Sequence, residues 1–274
     1  MQMKRRTRAA LLSLALVCFA GVSAAHETWI LPVSMRVQVG QPIALSLTSG
    51  MAFPADDVAI QPARVVRAQV RLGGKIEQLP KPQLQRMSLR YPWRPRSSGV
   101  ATIGIELGPR TLELDPNLIG EYFDEIHATD AVIAQWDSVP EPKRWRESYV
   151  KHASSFVRVG VPVRDASWAS PLGLGLEIVP ETDPTALLAG ANFRVRVLRR
   201  GVPLKGFSIG VRREGEPTSN YVPTDKNGRA WIILPRAGRW ILFGTDLRRV
   251  DEPGLVWRSD FVTTTIGVLP VGTR

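Results

Sequence analysis

Cysteine is almost missing from this chain of 274 residues, and the single one, Cys18, lies in a leader-like N-terminal segment. Val17 stands before it where a small residue would be needed, which argues against lipid attachment at that thiol. Without the leader no thiol remains, so disulfides and thiolate metal sites are excluded and stability must come from an ordinary apolar core. Histidine is nearly as scarce: after the leader there are only His26, His127 and His152. Long apolar runs are also lacking. The run from Ala9 to about Ala20 falls short of the ~20 residues that cross a bilayer core, and no later stretch of that length is free of charge. Catalytic signatures are missing too: there is no Gly-x-Ser-x-Gly, no His-Glu-x-x-His, no phosphate-binding glycine loop and no dinucleotide fingerprint. The chain therefore reads as a non-enzyme.

What is present begins with an export signal. Lys4, Arg5, Arg6 and Arg8 precede the short apolar run, and Ser23, Ala24 and Ala25 follow it. Basic region, apolar core and small-residue site make residues 1–25 a signal peptide, cleaved after Ala25, with a periplasmic destination. The formal charge of +11 includes four from those basic residues, which leaves +7 for the mature chain. Part of that excess is arginine alternating with valine, as in Phe193-Arg194-Val195-Arg196-Val197, the pattern of a strand with one wet face. Contact with the envelope surface remains open on this charge, whereas nucleic acid is not expected in that compartment.

Turn residues and short apolar runs set the organisation. From Met35 to Leu114, Val-, Ile- and Leu-rich segments alternate with Gly40, Gly50, Gly73-Gly74, Pro80 and Ser97-Ser98-Gly99, which predicts a β-sandwich with a hairpin at Gly73-Gly74. Asp115-Pro116 offers an N-cap and first-turn proline, and Leu118, Ile119, Tyr122, Phe123 and Ile126 recur at helical spacing, so Pro116 to about Ala128 is expected to be helix. A second helix is expected from Glu141 to about Lys151, with Trp145 and Tyr149 on its buried stripe. Ser154–Val163 returns to strand, and Pro162–Pro171 reads as a linker or crossing. About seven further strands follow, with Asp225-Lys226-Asn227-Gly228 as a turn between two of them. The expected fold is thus mainly β: a β-sandwich-like unit over 26–165 with a helical insertion at about 115–151, then an immunoglobulin- or transthyretin-like sandwich over 171–269.

The sharpest chemical feature is created by the cleavage itself. A histidine at the mature N-terminus offers its free α-amine and ring Nδ1 to one ion, a nitrogen pair suited to Cu(II) or Ni(II). Asp124 and His127 sit three residues apart on the expected helix and are neighbours on its surface, which makes them candidate further ligands; the plainer reading is a wet helix face shared with Glu121 and Glu125. His152 closes the second expected helix, where it is either a dipole-compatible terminal residue or a ligand that the fold brings to His26. The eight tryptophans are expected to be core or sheet-edge anchors.

Several segments carry a family resemblance. They are His26-Glu27-Thr28-Trp29-Ile30-Leu31-Pro32, Leu176–Pro180 with Asp183-Pro184 and Gly190, Val197–Leu204, Thr224–Gly228, and Gly238-Arg239-Trp240. Together they resemble the domain of unknown function 4198 family, exported proteins often labelled periplasmic components of nickel or cobalt uptake systems. The resemblance spans nearly the whole mature chain, is clearest in the C-terminal unit and is weaker over Trp145–Gly160. It implies two linked sandwich-like units and transition-metal handling outside the cytoplasmic membrane. Lacking a membrane span after the signal, the chain would act with a membrane transporter component.

The expected function is therefore a periplasmic accessory protein that binds nickel, cobalt or copper, with His26, His127, His152 and Asp124 as metal ligands. The alternative is a structural or adhesion-type β-sandwich module that holds an envelope polymer or protein. A copper oxidase built on the N-terminal chelate is a third reading, and it demands a second histidine within ligand distance.

Overall fold

In the computed structural model, residues 26–161, 164–252 and 255–272 are described, with the side chain of Leu255 excepted. The expected signal peptide, and Pro162 and Val163 at the start of the expected crossing, lie outside them. The first part of the chain runs through β1 (Glu27–Pro32), β2 (Arg36–Val37), β3 (Ile43–Gly50), β4 (Val58–Ala59) and β5 (Val65–Leu72). It continues through β6 (Lys75–Gln78), β7 (Gln83–Leu84), β8 (Leu89–Trp93), β9 (Gly99–Leu107) and β10 (Arg110–Leu114). Two short helices follow, α1 (Ile119–Ile126) and α2 (Asp130–Asp137), and then the long strand β11 (Trp145–Val159). The last part comprises β12 (Leu176–Pro180), β13 (Ala191–Arg199), β14 (Val202–Pro203), β15 (Ser208–Arg213) and β16 (Asn220–Pro223). β17 (Arg229–Leu234), β18 (Gly238–Glu252) and β19 (Leu255–Val268) complete it.

The protein is mainly β, in stacked layers. A ten-stranded sheet runs β16-β15-β18-β19-β11-β9-β5-β6, with β10 and β2 also paired to β11. A five-stranded sheet, β1-β3-β8-β7 with β4 on β3, covers one part of it, and a four-stranded sheet of β12, β13, β14 and β17 covers the other. The first layer pair encloses Ile30, Leu45, Leu47, Leu89, Ile103 and Val157. Its counterpart encloses Phe193, Val195, Val197, Ile209, Leu242 and Ile266. Both expected units feed the ten-stranded sheet, and the join is the parallel pairing of β11 with β19 from Glu147↔Trp257 to Ser155↔Thr265.

The first expected helix is present. The Asp115 carboxylate caps a 3-10 turn at Pro116–Leu118 by accepting from the Asn117 N–H at 2.9 Å, and α1 then buries Ile119, Tyr122, Phe123 and Ile126. The second expected helix is not. Trp145 to Lys151 forms the start of β11, while α2 lies upstream, begun by Thr129, whose hydroxyl accepts from Val132 N–H at 3.4 Å. A spacing of four, as between Trp145 and Tyr149, keeps two side chains on one face of a helix and equally on one face of a strand. Burial decides for the strand: Trp145, Glu147, Tyr149 and Lys151 are inside, whereas Arg146 is exposed and Ser148 and Val150 are only partly covered. The helices pack over that face in a cluster built on Tyr122, Trp136, Trp145 and Trp257, with Trp145 stacked on Trp257 at 4.7 Å.

Candidate functional site

β1 is an edge strand of the five-stranded sheet, so the carbonyls on its outer side need partners from elsewhere. The ten-stranded sheet supplies them from side chains. Thr265 Oγ1 donates to the Ile30 carbonyl at 2.7 Å, Thr263 Oγ1 donates to the Thr28 carbonyl at 2.6 Å, and the Lys151 ammonium donates to the His26 carbonyl. These three rungs at every second residue fasten the chain down as far as His26. Beside the last rung opens a cavity of about 290 Å³, lined by β1, the end of α1, β11, β15, β16, β18 and β19.

Three of the residues singled out in the sequence line this one cavity: Asp124, His127 and His152. His26 is held at its edge through Lys151 and through its neighbour Glu27, which also lines it. His127 ends α1 in the left-handed region, at φ 51° and ψ 52°, a conformation that His adopts more readily than most residues. Its ring stacks on Tyr221 with centroids 3.4 Å apart. Asp124 is exposed, one turn earlier on α1.

His152 is placed differently. It lies on β11 and not at a helix end, and it is 2 % exposed. Its Nε2 faces Asp260 Oδ1 at 2.9 Å and its Nδ1 faces Glu106 Oε2 at 3.4 Å. Burial alone would lower the pKa of the ring, but the two carboxylates outweigh it and hold His152 above the ordinary histidine value, while Asp260 and Glu106 are held below the usual carboxylate range. Arg248 extends the network by donating to Asp260 Oδ2 at 2.7 Å, so His152 is one member of an ion-pair chain, whose Glu106 and Asp260 line a neighbouring cavity with it and not the first.

Residues that the sequence reading passed over shape the rest of the cavity. Glu27 pairs with Arg212 at 3.1 Å, and the Arg212 guanidinium lies 5.1 Å from the centre of the Phe243 ring. Lys151, 6 % exposed, has its ammonium 5.4 Å from the centre of Phe261 and 5.7 Å from that of Tyr149. Burial, helped by Arg64 and Arg110 and opposed by Glu27 and Glu125, pulls its pKa down to about 8. Partial desolvation and the Glu27 charge push the Glu125 carboxyl up, against the pull of Lys151. Lys151 gave no signal in the sequence: Trp145, Glu147, Tyr149 and Lys151 share one buried face of β11, but with two charged residues among them they make no apolar alternation. Among the described residues, no three His, Cys, Asp or Glu side chains are grouped to hold a metal ion.

Among solved structures, the adhesin InvE of Yersinia pseudotuberculosis is similar over 90 % of this chain and 59 % of its own, with 10 % identity and a TM-score of 0.24. A bacterial ice-binding adhesin is similar over 89 % of this chain and 65 % of its own, with 10 % identity and a TM-score of 0.24. The alpha-2-macroglobulin of Escherichia coli is similar over 92 % of this chain and 16 % of its own, at 11 % identity and a TM-score of 0.23. This chain thus spans less than two thirds of the length of each. No curated protein matches. The sequence does match the family described as "Domain of unknown function (DUF4198)" over residues 23–243, and the chain belongs to that family.

Proposed function

We propose that this is an exported, periplasmic, non-enzymatic protein that captures a divalent transition metal, nickel, cobalt or copper, at its mature N-terminus and passes it to a membrane transporter component. The observation that carries this reading is the carbonyl ladder on β1. It fastens the backbone up to His26 at the edge of a cavity whose lining includes His127 and Asp124, residues 101 and 98 positions away by number. The donor set fits the chemistry: an α-amine and two imidazoles suit Cu(II) or Ni(II), with a carboxylate completing the site. Asp124 and Glu125 add negative charge at the mouth. His152 is assigned to the ion-pair wall instead of the ligand set.

The test is a comparison of the protein beginning at His26 with one carrying a single extra residue ahead of it, and with His26→Ala. Calorimetry and Cu(II) electron paramagnetic resonance should show tight binding only in the first. The extra residue keeps the imidazole and moves the free amine, so equal affinity and identical spectra in all three would remove the N-terminal chelate. A second reading, a structural or adhesion-type module, is favoured by the outer face of β17, where Trp231 and Ile233 are 49 % and 69 % exposed. Binding to purified envelope polymer that disappears in Trp231→Ala would favour that reading.

A further inference from the structure

Lys151 is charged, buried and short of partners. Its ammonium carries three N–H donors, and its one hydrogen bond goes to the His26 carbonyl. Tyr149 and Phe261 offer ring faces to the charge. Arg64 and Arg110 act on it electrostatically, and Glu27 and Glu125 act in the opposite sense, neither within ion-pair distance. Among the described residues, none of these three cations forms an ion pair with a carboxylate, although fourteen such pairs occur elsewhere. A buried ammonium without a counter-ion is costly, and proteins normally pair it. Here the unpaired charge faces a cavity.

The surroundings restrict what can supply the missing anion. Phe243, Phe261, Val262 and Ile126 make apolar walls beside the ammonium. The volume, about 290 Å³, is at the small end of the ~300–1,000 Å³ typical of small-molecule sites. Glu27 is already neutralised by Arg212, and Glu125 is exposed to solvent, where its repulsion of an anion is screened. We infer that the cavity binds a small organic carboxylate, with its anionic end on Lys151 and its apolar body between Phe243 and Phe261. The site is independent of the metal reading, because it uses neither the His26 amine nor the His127 ring.

Phenylacetate is a suitable probe: a carboxylate on one flat apolar body. Binding is measured by calorimetry on the mature protein in the presence of a chelator, so that a failure of metal binding leaves the result untouched. Phenylacetate should bind, while its neutral isostere phenylacetamide should bind at least about tenfold more weakly, the usual worth of a charge-assisted contact. Lys151→Met should lose phenylacetate binding by a similar factor. Ser219→Trp, which leaves Lys151 in place and narrows the cavity from a partly exposed loop position, should lose it too. Absence of phenylacetate binding, equal binding of the acid and the amide, or unchanged affinity in both Lys151→Met and Ser219→Trp would overturn the inference. Inorganic phosphate binding as tightly as phenylacetate would also overturn it, because the apolar walls would then contribute nothing.

Discussion

Lys151→Met removes a buried charge, and its effect on stability should depend on pH in a way the structure dictates. Lys151 is held at about 8 in the fold against an ordinary 10.5. Between those values the unfolded chain binds a proton that the native chain does not, so stability rises with pH across the window. Below about pH 8 both states are protonated and the full penalty is present, on the order of 3 kcal/mol at about 1.4 kcal/mol per pKa unit. Methionine fills a similar shape and carries no such penalty, but it forfeits the bond to the His26 carbonyl and the two ring contacts, worth together roughly 2 kcal/mol. The variant should therefore be close to wild type in stability near neutral pH, within about 1–2 kcal/mol, and progressively less stable than wild type as pH rises towards ~10. Urea denaturation of both proteins in parallel from about pH 7 to pH 10 reads the difference directly, and titrations common to the two cancel. Parallel stability curves over that range would show that Lys151 is not held low by burial, and the account of the cavity floor would fail with them.

Two further perturbations test the frame around the site. Gly228→Val should lower the urea midpoint by the equivalent of at least ~2 kcal/mol, because Gly228 has φ +72° and a Cβ there would stand 2.7 Å from the Val197 carbonyl oxygen; an unchanged midpoint would contradict this. His152→Gln should cost roughly 3 kcal/mol near neutral pH by leaving Glu106 and Asp260 buried against an uncharged group. That cost should shrink as pH falls and the depressed carboxylates of Asp260 and Glu106 take up protons. It should also shrink as pH rises through the elevated His152 pKa, since the stability that a raised histidine confers is present below its unfolded value and lost above its folded one. A pH-independent difference in thermal midpoint would refute the ion-pair assignment.

Most of the strands were legible because their signals are local. The turn at Asp225–Gly228 shows why: the Asp225 carboxylate accepts from the N–H groups of Asn227 at 2.7 Å and Arg229 at 2.9 Å, an arrangement set by residue types within five positions. Helix α1 was legible for the same reason, through its Asp-Pro start and a stripe of four buried residues. The error at 141–151 arose where two periods coincide. Over seven residues, Trp145 and Tyr149 satisfy both a helix and a strand, and what separates the two is β11's long-range pairing with β10 on one side and β19 on the other. No property of residues 141–151 alone carries that information.

The candidate site divides along the same line. Asp124 and His127 could be linked by spacing, since one short helix holds both, and His26 stood out because cleavage would place an amine beside an imidazole. Their meeting at one cavity depends on β1 crossing the ten-stranded sheet, with Lys151 and His26 brought together across 125 residues of chain. The same topology explains how His152 comes to be paired. Its neighbours in sequence, Lys151 and Ala153, say nothing of Glu106 on β9 or Asp260 on β19, which enclose its ring. Buried on an inward-facing stretch of β11, His152 would be costly as a charge unless paired, and Asp260 at 2.9 Å and Glu106 at 3.4 Å supply the pairing. Lys151, one residue away on the opposite face of the strand, is enclosed by Tyr149, Phe261 and a backbone carbonyl instead. Of two adjacent buried cations, then, the fold pairs one directly with two carboxylates and leaves the other with no carboxylate in contact and facing open volume, and it is the second that we infer to meet a ligand.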